Sequence, residues 1–265
     1  MTTEPRTGES RVALVTGATR GIGRAVARTL GGTGIKVFIT ARDAGDVAAT
    51  VKELTAEGVT AAGVAADVRR GEDVVRSVAA AVDRFGPVGI LVNNAGRSGG
   101  GVTARIPDEL WDDVLATNLT SVFRMTREVL TAGGMGDGGS GRIVNIASTG
   151  GKQGVMLGAP YSASKHAVVG FSKSLGLELA KTGITVNAVC PGYVETPMAR
   201  SVREGYAGHW DVTVDEVLKR FEAKIPLGRY TSADEVAALV GYLVTPAAAS
   251  ITAQALNVCG GLGNY

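Results

Sequence analysis

Histidine and cysteine are nearly missing from this chain, with two of each in 265 residues. A metal centre needs several such ligands close together. His166 and His209 lie far apart with no carboxylate cluster beside them, so no metal site is expected. Cys190 and Cys259 sit in apolar stretches, "TVNAVCPG" and "ALNVCGG", and are expected as buried free thiols rather than as a disulfide. An excess of one charge is also lacking. The formal net charge is +2, which gives no global field toward nucleic acid or a membrane surface. No apolar run approaches the ~20 residues that cross a bilayer. The opening "MTTEPRTGES" is polar with no apolar core behind it, so no signal peptide is expected and a cytoplasmic location is the default. Glycine is plentiful at 38 residues but has no fixed period, which excludes a collagen-like or linker-type chain.

What is present is a regular alternation. Short apolar runs ending in turn residues ("RVALVTG", "IKVFITA", "VTAAGVAAD", "VGILVNNAG", "GRIVNIAS", "GITVNAVCPG", "ALNVCGG") alternate with segments of helical periodicity. The runs are apolar on both faces, as a parallel sheet covered by helices requires. The expected fold is α/β: one doubly wound, Rossmann-type domain over 1–265. Its seven-stranded parallel sheet is flanked by helices, and residues 1–10 form a flexible N-terminus. "PDELWDDVLATNLTSVFRMTREVLTAGG" reads as one long helix in which Trp111 packs, and Tyr161 to about Lys181 as another. The glycine-dense 132–142 reads as a flexible surface connection. Residues 196–229 are too long for an ordinary connection and mix charges with Tyr206, Trp210 and Phe221, so a helical lid over a ligand crevice is expected there.

The first strand feeds a glycine turn that opens the first helix. Thr16, Gly17, Thr19, Arg20, Gly21, Ile22 and Gly23 stand there, with the spacing G-x-x-x-G-x-G. Such a turn lets backbone approach a diphosphate at the positive end of a helix. The second strand ends "FITARD". An acid at this place would select NAD and an arginine NADP, and Arg42 occupies it. Arg20 can reach the same 2′-phosphate, while Asp43 is read as the N-cap of the next helix. Asp67 and Val68 follow the third strand, where the carboxylate can accept from an adenine amino group. Asn94, Ala95 and Gly96 close the fourth.

Together with "YSASK", "PGYVETP", Asn118 and Ser148, these segments resemble the short-chain dehydrogenases/reductases over nearly the whole chain. The resemblance implies roles position by position. Tyr161 is the general acid, Lys165 its partner and a holder of the nicotinamide ribose, and Ser148 the holder of the substrate carbonyl. Asn118 anchors a water-linked relay to Lys165, and Pro191, Gly192, Val194 and Thr196 line the nicotinamide. The chemistry agrees. A free phenol titrates near ~10, and a cation one helical turn away would lower that value.

Segments such as "IASTGGKQGV" and the terminal "TAQALNVCGGLGNY" further resemble the ketoreductases of bacterial aromatic polyketide pathways. That resemblance implies NADPH, a homotetramer, and reduction of one ketone, typically at C-9, of a poly-β-ketone on an acyl carrier protein. It places Ser98, Gly99, Gly100, Gln153, Val155, Leu157, Met198 and Tyr206 near the substrate. Ser98-Gly99-Gly100 departs from a relative's Pro-Gly-Gly, which leaves the stereochemical course open. Arg42, Arg69 and Arg97 each follow a strand's carboxyl end. They form either a basic rim for an acidic carrier protein or, for the last two, solvated loop charges. A 3-oxoacyl-(acyl-carrier-protein) reductase or general carbonyl reductase is the alternative within the enzyme class. A non-catalytic dinucleotide sensor is the alternative outside it, and that would predict a damaged Ser-Tyr-Lys set.

Overall fold

A computed structural model of the chain describes residues 11–136, 140–263 and 265. The expected flexible 1–10 lies outside the described residues, as does part of the glycine-dense 132–142. Seven strands form one sheet in the order β3-β2-β1-β4-β5-β6-β7. They are β1 Val12–Thr16, β2 Lys36–Ala41, β3 Ala61–Ala65, β4 Ile90–Asn93, β5 Gly141–Ile146, β6 Ile184–Pro191 and β7 Ala255–Val258. Every pairing is parallel, with Val15 opposite both Ile39 and Val92. The order reverses between β1 and β4, and in such sheets a ligand crevice opens at that point, beyond the strands' carboxyl ends.

Helices cover both faces. Helices α1 (Gly21–Gly31), α2 (Ala44–Ala56) and α9 (Ala233–Leu243) pack Val26, Leu30, Leu54 and Val240 against Val15, Ile39 and Val92. On the other face α3 (Gly71–Phe85), α5 (Ser121–Leu130) and α6 (Ala159–Glu178) pack Val78, Met125 and Leu175 against Leu14, Leu91 and Ile143. The central strands β1, β4, β5 and β6 are fully buried, whereas the edge strands β3 and β7 are half-exposed because each has a neighbour on one side only. Among the described residues no helix is long and apolar enough to cross a membrane.

The expected long helix after β4 is interrupted. Helix α4 covers Asp108–Leu115, a π turn follows over Ala116–Thr120, and α5 continues from Ser121. A π turn carries an extra residue and is common at functional sites; this one carries Asn118, fully buried. The sequence hides it because apolar spacing is kept on either side. Trp111 is 40% exposed on α4, contrary to a packing role. Ala163 is also exposed on α6, while Ser162 and Ser164 pack inward. The expected lid forms from α7 (Pro197–Trp210) and α8 (Val214–Glu222). It has its own small core, in which Tyr193 stacks 4.7 Å from Phe221 and 5.3 Å from Tyr230.

Candidate active site

The carboxyl ends of β1 to β6 and the lid enclose a cleft of about 1270 Å³. At one end lies the glycine turn. Gly17 and Gly21 have φ of 64° and 54°, a region that glycine enters without steric cost. Gly23 has a different reason: a Cβ there would stand 2.4 Å from both Asn94 Nδ2 and Gly17 O. Asn94 fills that space and donates to Thr16 O and Gly17 O, both at 2.9 Å. Thr16 in turn accepts from the backbone N–H groups of Asn94 and Ala95 at 3.0 Å. The turn is thus locked to the end of β4. Its open backbone and the start of α1 fit a dinucleotide diphosphate.

Of the residues expected at the cofactor, Thr19, Arg20, Ile22, Arg42, Asp67, Val68, Asn94, Ala95, Gly96, Pro191, Gly192, Val194 and Thr196 line the cleft, as do Gly17 and Gly21. Thr16, Gly23 and Asn118 are absent from the wall; the first two act through Asn94 from behind it. Arg20 and Arg42 are both exposed and border the same end of the cleft. Asp43 caps α2 by accepting from Asp46 N at 2.8 Å, as the sequence predicts.

Ser148, Tyr161 and Lys165 meet at the closed end. Ser148 follows β5 and its hydroxyl accepts from Gly150 N at 3.0 Å. A Cβ on Gly150 would lie 3.3 Å from both Ser148 Oγ and Tyr161 Cε1, so the two side chains flank one glycine. Lys165 is 5% exposed, donates to Ile146 O at 2.8 Å, and holds its ammonium 5.9 Å from the Tyr161 ring centre. A Cβ on Gly96 would lie 3.3 Å from Asn118 Oδ1 and 3.6 Å from Lys165 Nζ, so both side chains border that glycine. Asn118 is engaged elsewhere: it accepts from Arg97 N (2.8 Å) and donates to Arg97 O (3.0 Å) and Ser164 Oγ (3.1 Å). Its side chain fixes the loop after β4 and makes no direct bond to Lys165.

The electrostatics differ from the sequence expectation. Burial pushes the Tyr161 phenol above its ordinary value, with a hydrogen bond to Ser148 pulling the other way. Burial acts on Lys165 too and brings that ammonium down to about 8. The chain alone therefore holds a protonated phenol beside a weakened ammonium.

The expected substrate residues Ser98, Gly99, Gly100, Gln153, Val155, Leu157, Met198 and Tyr206 all line the cleft. Two facing walls are stitched together there. Gly101 N donates to Leu157 O at 2.8 Å, and a Cβ on Gly100 would stand 1.9 Å from that oxygen. Leu157 has φ of 57°, a left-handed conformation that costs a branched residue. Across the mouth, the Tyr206 hydroxyl donates to Met156 O, joining the lid to the opposite wall.

The three rim arginines differ from one another. Arg42 is exposed. Arg69 is paired with Asp67 and Asp113, both at 2.5 Å, and Arg97 is paired with the other oxygen of Asp113. Asp113 has no motif to announce it; only the turn of α4 toward the cleft does. Among the described residues no group of three or more His, Cys, Asp or Glu side chains could hold a metal ion. Cys190 and Cys259 are both free and buried.

The sequence model of the short chain dehydrogenase family matches residues 11–207. A protein of Streptomyces virginiae named for the ketoacyl reductase of the monensin polyketide synthase is 67% identical, covering 97% of this chain and 98% of that one. The 3-oxoacyl-[acyl-carrier-protein] reductase of Escherichia coli is 41% identical, covering 96% and 98%. The crystal structure of a single-substitution variant of the actinorhodin polyketide ketoreductase with NADPH superposes with a TM-score of 0.95 at 63% identity, covering 97% and 98%. With the glycine turn, the Ser-Tyr-Lys group and the doubly wound sheet in place, the chain belongs to the short-chain dehydrogenase/reductase family of oxidoreductases.

Proposed function

We propose that this protein is an NADPH-dependent ketoreductase that reduces one ketone, at C-9, of a poly-β-ketone carried on an acyl carrier protein. The observation that carries the reading is one cleft with two chemically distinct ends. Two exposed arginines border the glycine-turn end, and Ser148, Tyr161 and Lys165 converge at the other. The likeness to polyketide ketoreductases over nearly the whole chain supports the substrate class.

NADPH, when bound, supplies the hydride. Arg20 and Arg42 would hold its 2′-phosphate, the open backbone of the turn its diphosphate, and Asp67 its adenine amine. Lys165 would hold the nicotinamide ribose. The chain's own residues do the remaining work. Ser148 donates a hydrogen bond to the substrate carbonyl oxygen and fixes its position. Tyr161 gives that oxygen its phenolic proton as negative charge develops there. Its high pKa keeps the proton in place until then, and the positive charge of Lys165 stabilises the phenolate that remains. The lid and the stitched walls exclude water and choose which carbonyl reaches Tyr161. We further propose that the enzyme works as a homotetramer.

The test is reconstitution with a minimal aromatic synthase and its holo carrier protein, followed by product analysis. A product reduced at C-9 is expected, together with NADPH-dependent reduction of a bicyclic ketone such as a decalone. Turnover of a short linear 3-oxoacyl thioester with no decalone reduction would assign the chain to the fatty-acid-type reductases instead.

A further inference from the structure

Beyond β7 the chain folds back as a strap beside the cleft. It turns at Cys259: Leu262 N donates to Cys259 O at 3.1 Å, and Cys259 Sγ accepts from Gly263 N at 3.4 Å. Asn257 Nδ2 donates to Gly263 O at 2.9 Å, so the turn is closed by its own strand. The strap touches two parts of the site. Gly192, at the end of β6, donates to Val258 O at 3.0 Å, and a Cβ on it would stand 2.8 Å from Cys259 Cβ. Leu227, beyond α8, donates to Gly260 O at 3.0 Å. Leu262 packs against the small core of the lid and lines the cleft.

One side chain ties this strap to the turn that carries Ser148. Ser148 opens a short helical turn over Thr149–Gly151, and Lys152 closes it, donating its N–H to Thr149 O at 2.9 Å. The half-buried ammonium of Lys152 crosses to the strap. It donates to Asn257 Oδ1 at 3.0 Å, Ala255 O at 3.2 Å and Tyr265 O at 2.6 Å. An ammonium has three donors, and each has its acceptor. The Tyr265 ring adds a cation–π contact at 5.2 Å. Asn257 serves both sides, with its oxygen on Lys152 and its nitrogen on Gly263. The other flank of the Ser148 turn rests on α6, where a Cβ on Gly151 would stand 2.5 Å from Lys165 O. The turn is therefore gripped between α6 and the Lys152 clasp.

We propose that Lys152 is a positioning residue for the reduction: by clasping the strap to the turn after β5, it fixes the Ser148 hydroxyl against the substrate carbonyl oxygen. The inference rests on the proposed ketone reduction. Bonds from an ammonium are stronger than those between neutral groups, so three of them hold the turn firmly. They reach neither the glycine turn nor Arg20 and Arg42, so the cofactor's phosphates are held without them. A turn that loosens still admits the ketone. It loses the alignment of Ser148 as charge develops on the oxygen, and that loss falls on kcat.

The experiment compares Lys152→Met with wild type in decalone reduction at saturating NADPH, with NADPH affinity by fluorescence titration and with thermal unfolding. The expected result is a fall in kcat of about tenfold, a modest misalignment cost, with decalone KM and NADPH affinity each within about twofold of wild type. Asn257→Ala opens the clasp from the other side and should lower kcat by a similar factor. The double variant should be no slower than the slower single, because both changes remove one link. Should Lys152→Met fail to fold, Lys152→Gln, which drops the charge and keeps a polar end, takes its place with the same expected loss. Wild-type kcat in the folded lysine variant overturns the inference, even if its unfolding temperature falls. A double variant whose loss is the product of the two single losses overturns it too, and so does a loss confined to KM or to NADPH affinity. Decalone reduction by the wild type reports the proposed function separately: wild-type turnover with unaffected variants removes this inference alone, whereas no turnover removes the function on which it rests.

Discussion

The floor and the rim of the cleft handle charge in opposite ways. At the floor a single ammonium, Lys165, is buried with a backbone carbonyl as its hydrogen-bond partner, and burial drags it down to about 8. At the rim Asp67, Arg69, Asp113 and Arg97 stay partly exposed and neutralise one another. There the side chain of Arg69 holds the Asp67 carboxyl below its ordinary range. A buried charge without a counter-ion costs stability and is kept for chemistry. Exposed pairs cost little and can exchange partners. Under the proposed function, the floor performs the reaction and the rim borders the way in.

The comparison breaks most readily at the floor. Lys165→Met should lower kcat/KM for decalone reduction by about a hundredfold or more, within the range for loss of acid–base support. In the wild type, kcat/KM should fall as pH rises through about 8, where Lys165 loses its proton. The stability effect has the opposite sense. Because the folded protein binds this proton less well than the unfolded chain, the penalty is full below about 8 and fades as pH rises toward the ordinary value of 10.5. A pH profile flat from 7 to 10 would remove Lys165 from the account.

Gly100→Ala probes the wall between floor and rim. Its Cβ would meet Leu157 O at 1.9 Å, so the two substrate walls must part. A loss of roughly 1–3 kcal/mol in stability is expected, as for other overpacked sites, with decalone KM rising more than kcat falls. Thermal unfolding and steady-state kinetics check both. At the rim the effects are smaller. Arg42→Ala should cut kcat/KM for NADPH by about tenfold, the worth of one charge-assisted hydrogen bond, and leave NADH unchanged. Equal losses with both cofactors would mean that Arg42 does not read the 2′-phosphate. Smallest is Asp67→Asn. It keeps an acceptor for adenine and leaves Arg69 with Asp113 as its remaining carboxylate, so NADPH affinity by fluorescence titration should change by no more than about threefold, given the modest worth of exposed pairs.

Much of this was legible in the sequence because it depends on local pattern. A strand, a glycine turn and a helix must follow one another in the chain, so "TGATRGIG" announces itself. Tyr161 and Lys165 share a helix face by their spacing. Asp43 caps α2 because the residue type and position leave little else for it to do. What stayed hidden depends on contacts distant in the chain. Asp113 meets Arg69 and Arg97 only after two loops fold over α4. The π turn at Asn118 leaves the apolar spacing nearly intact and shows only in the hydrogen-bond ladder. The direction of the Tyr161 shift depends on how deeply the ring is enclosed, which no four-residue spacing records. Leu157 gives no sign of its left-handed backbone, since leucine is a poor choice for it.

The central claim is that Tyr161 supplies the proton to a carbonyl held in this cleft. Its most direct test is Tyr161→Phe, with NADPH affinity and decalone reduction measured on the same preparation. The account predicts NADPH binding within about twofold of wild type, because the phenolic hydroxyl is not needed to hold the cofactor, and a loss of reduction of about a hundredfold or more. Wild-type turnover by this variant, with NADPH bound, would contradict it.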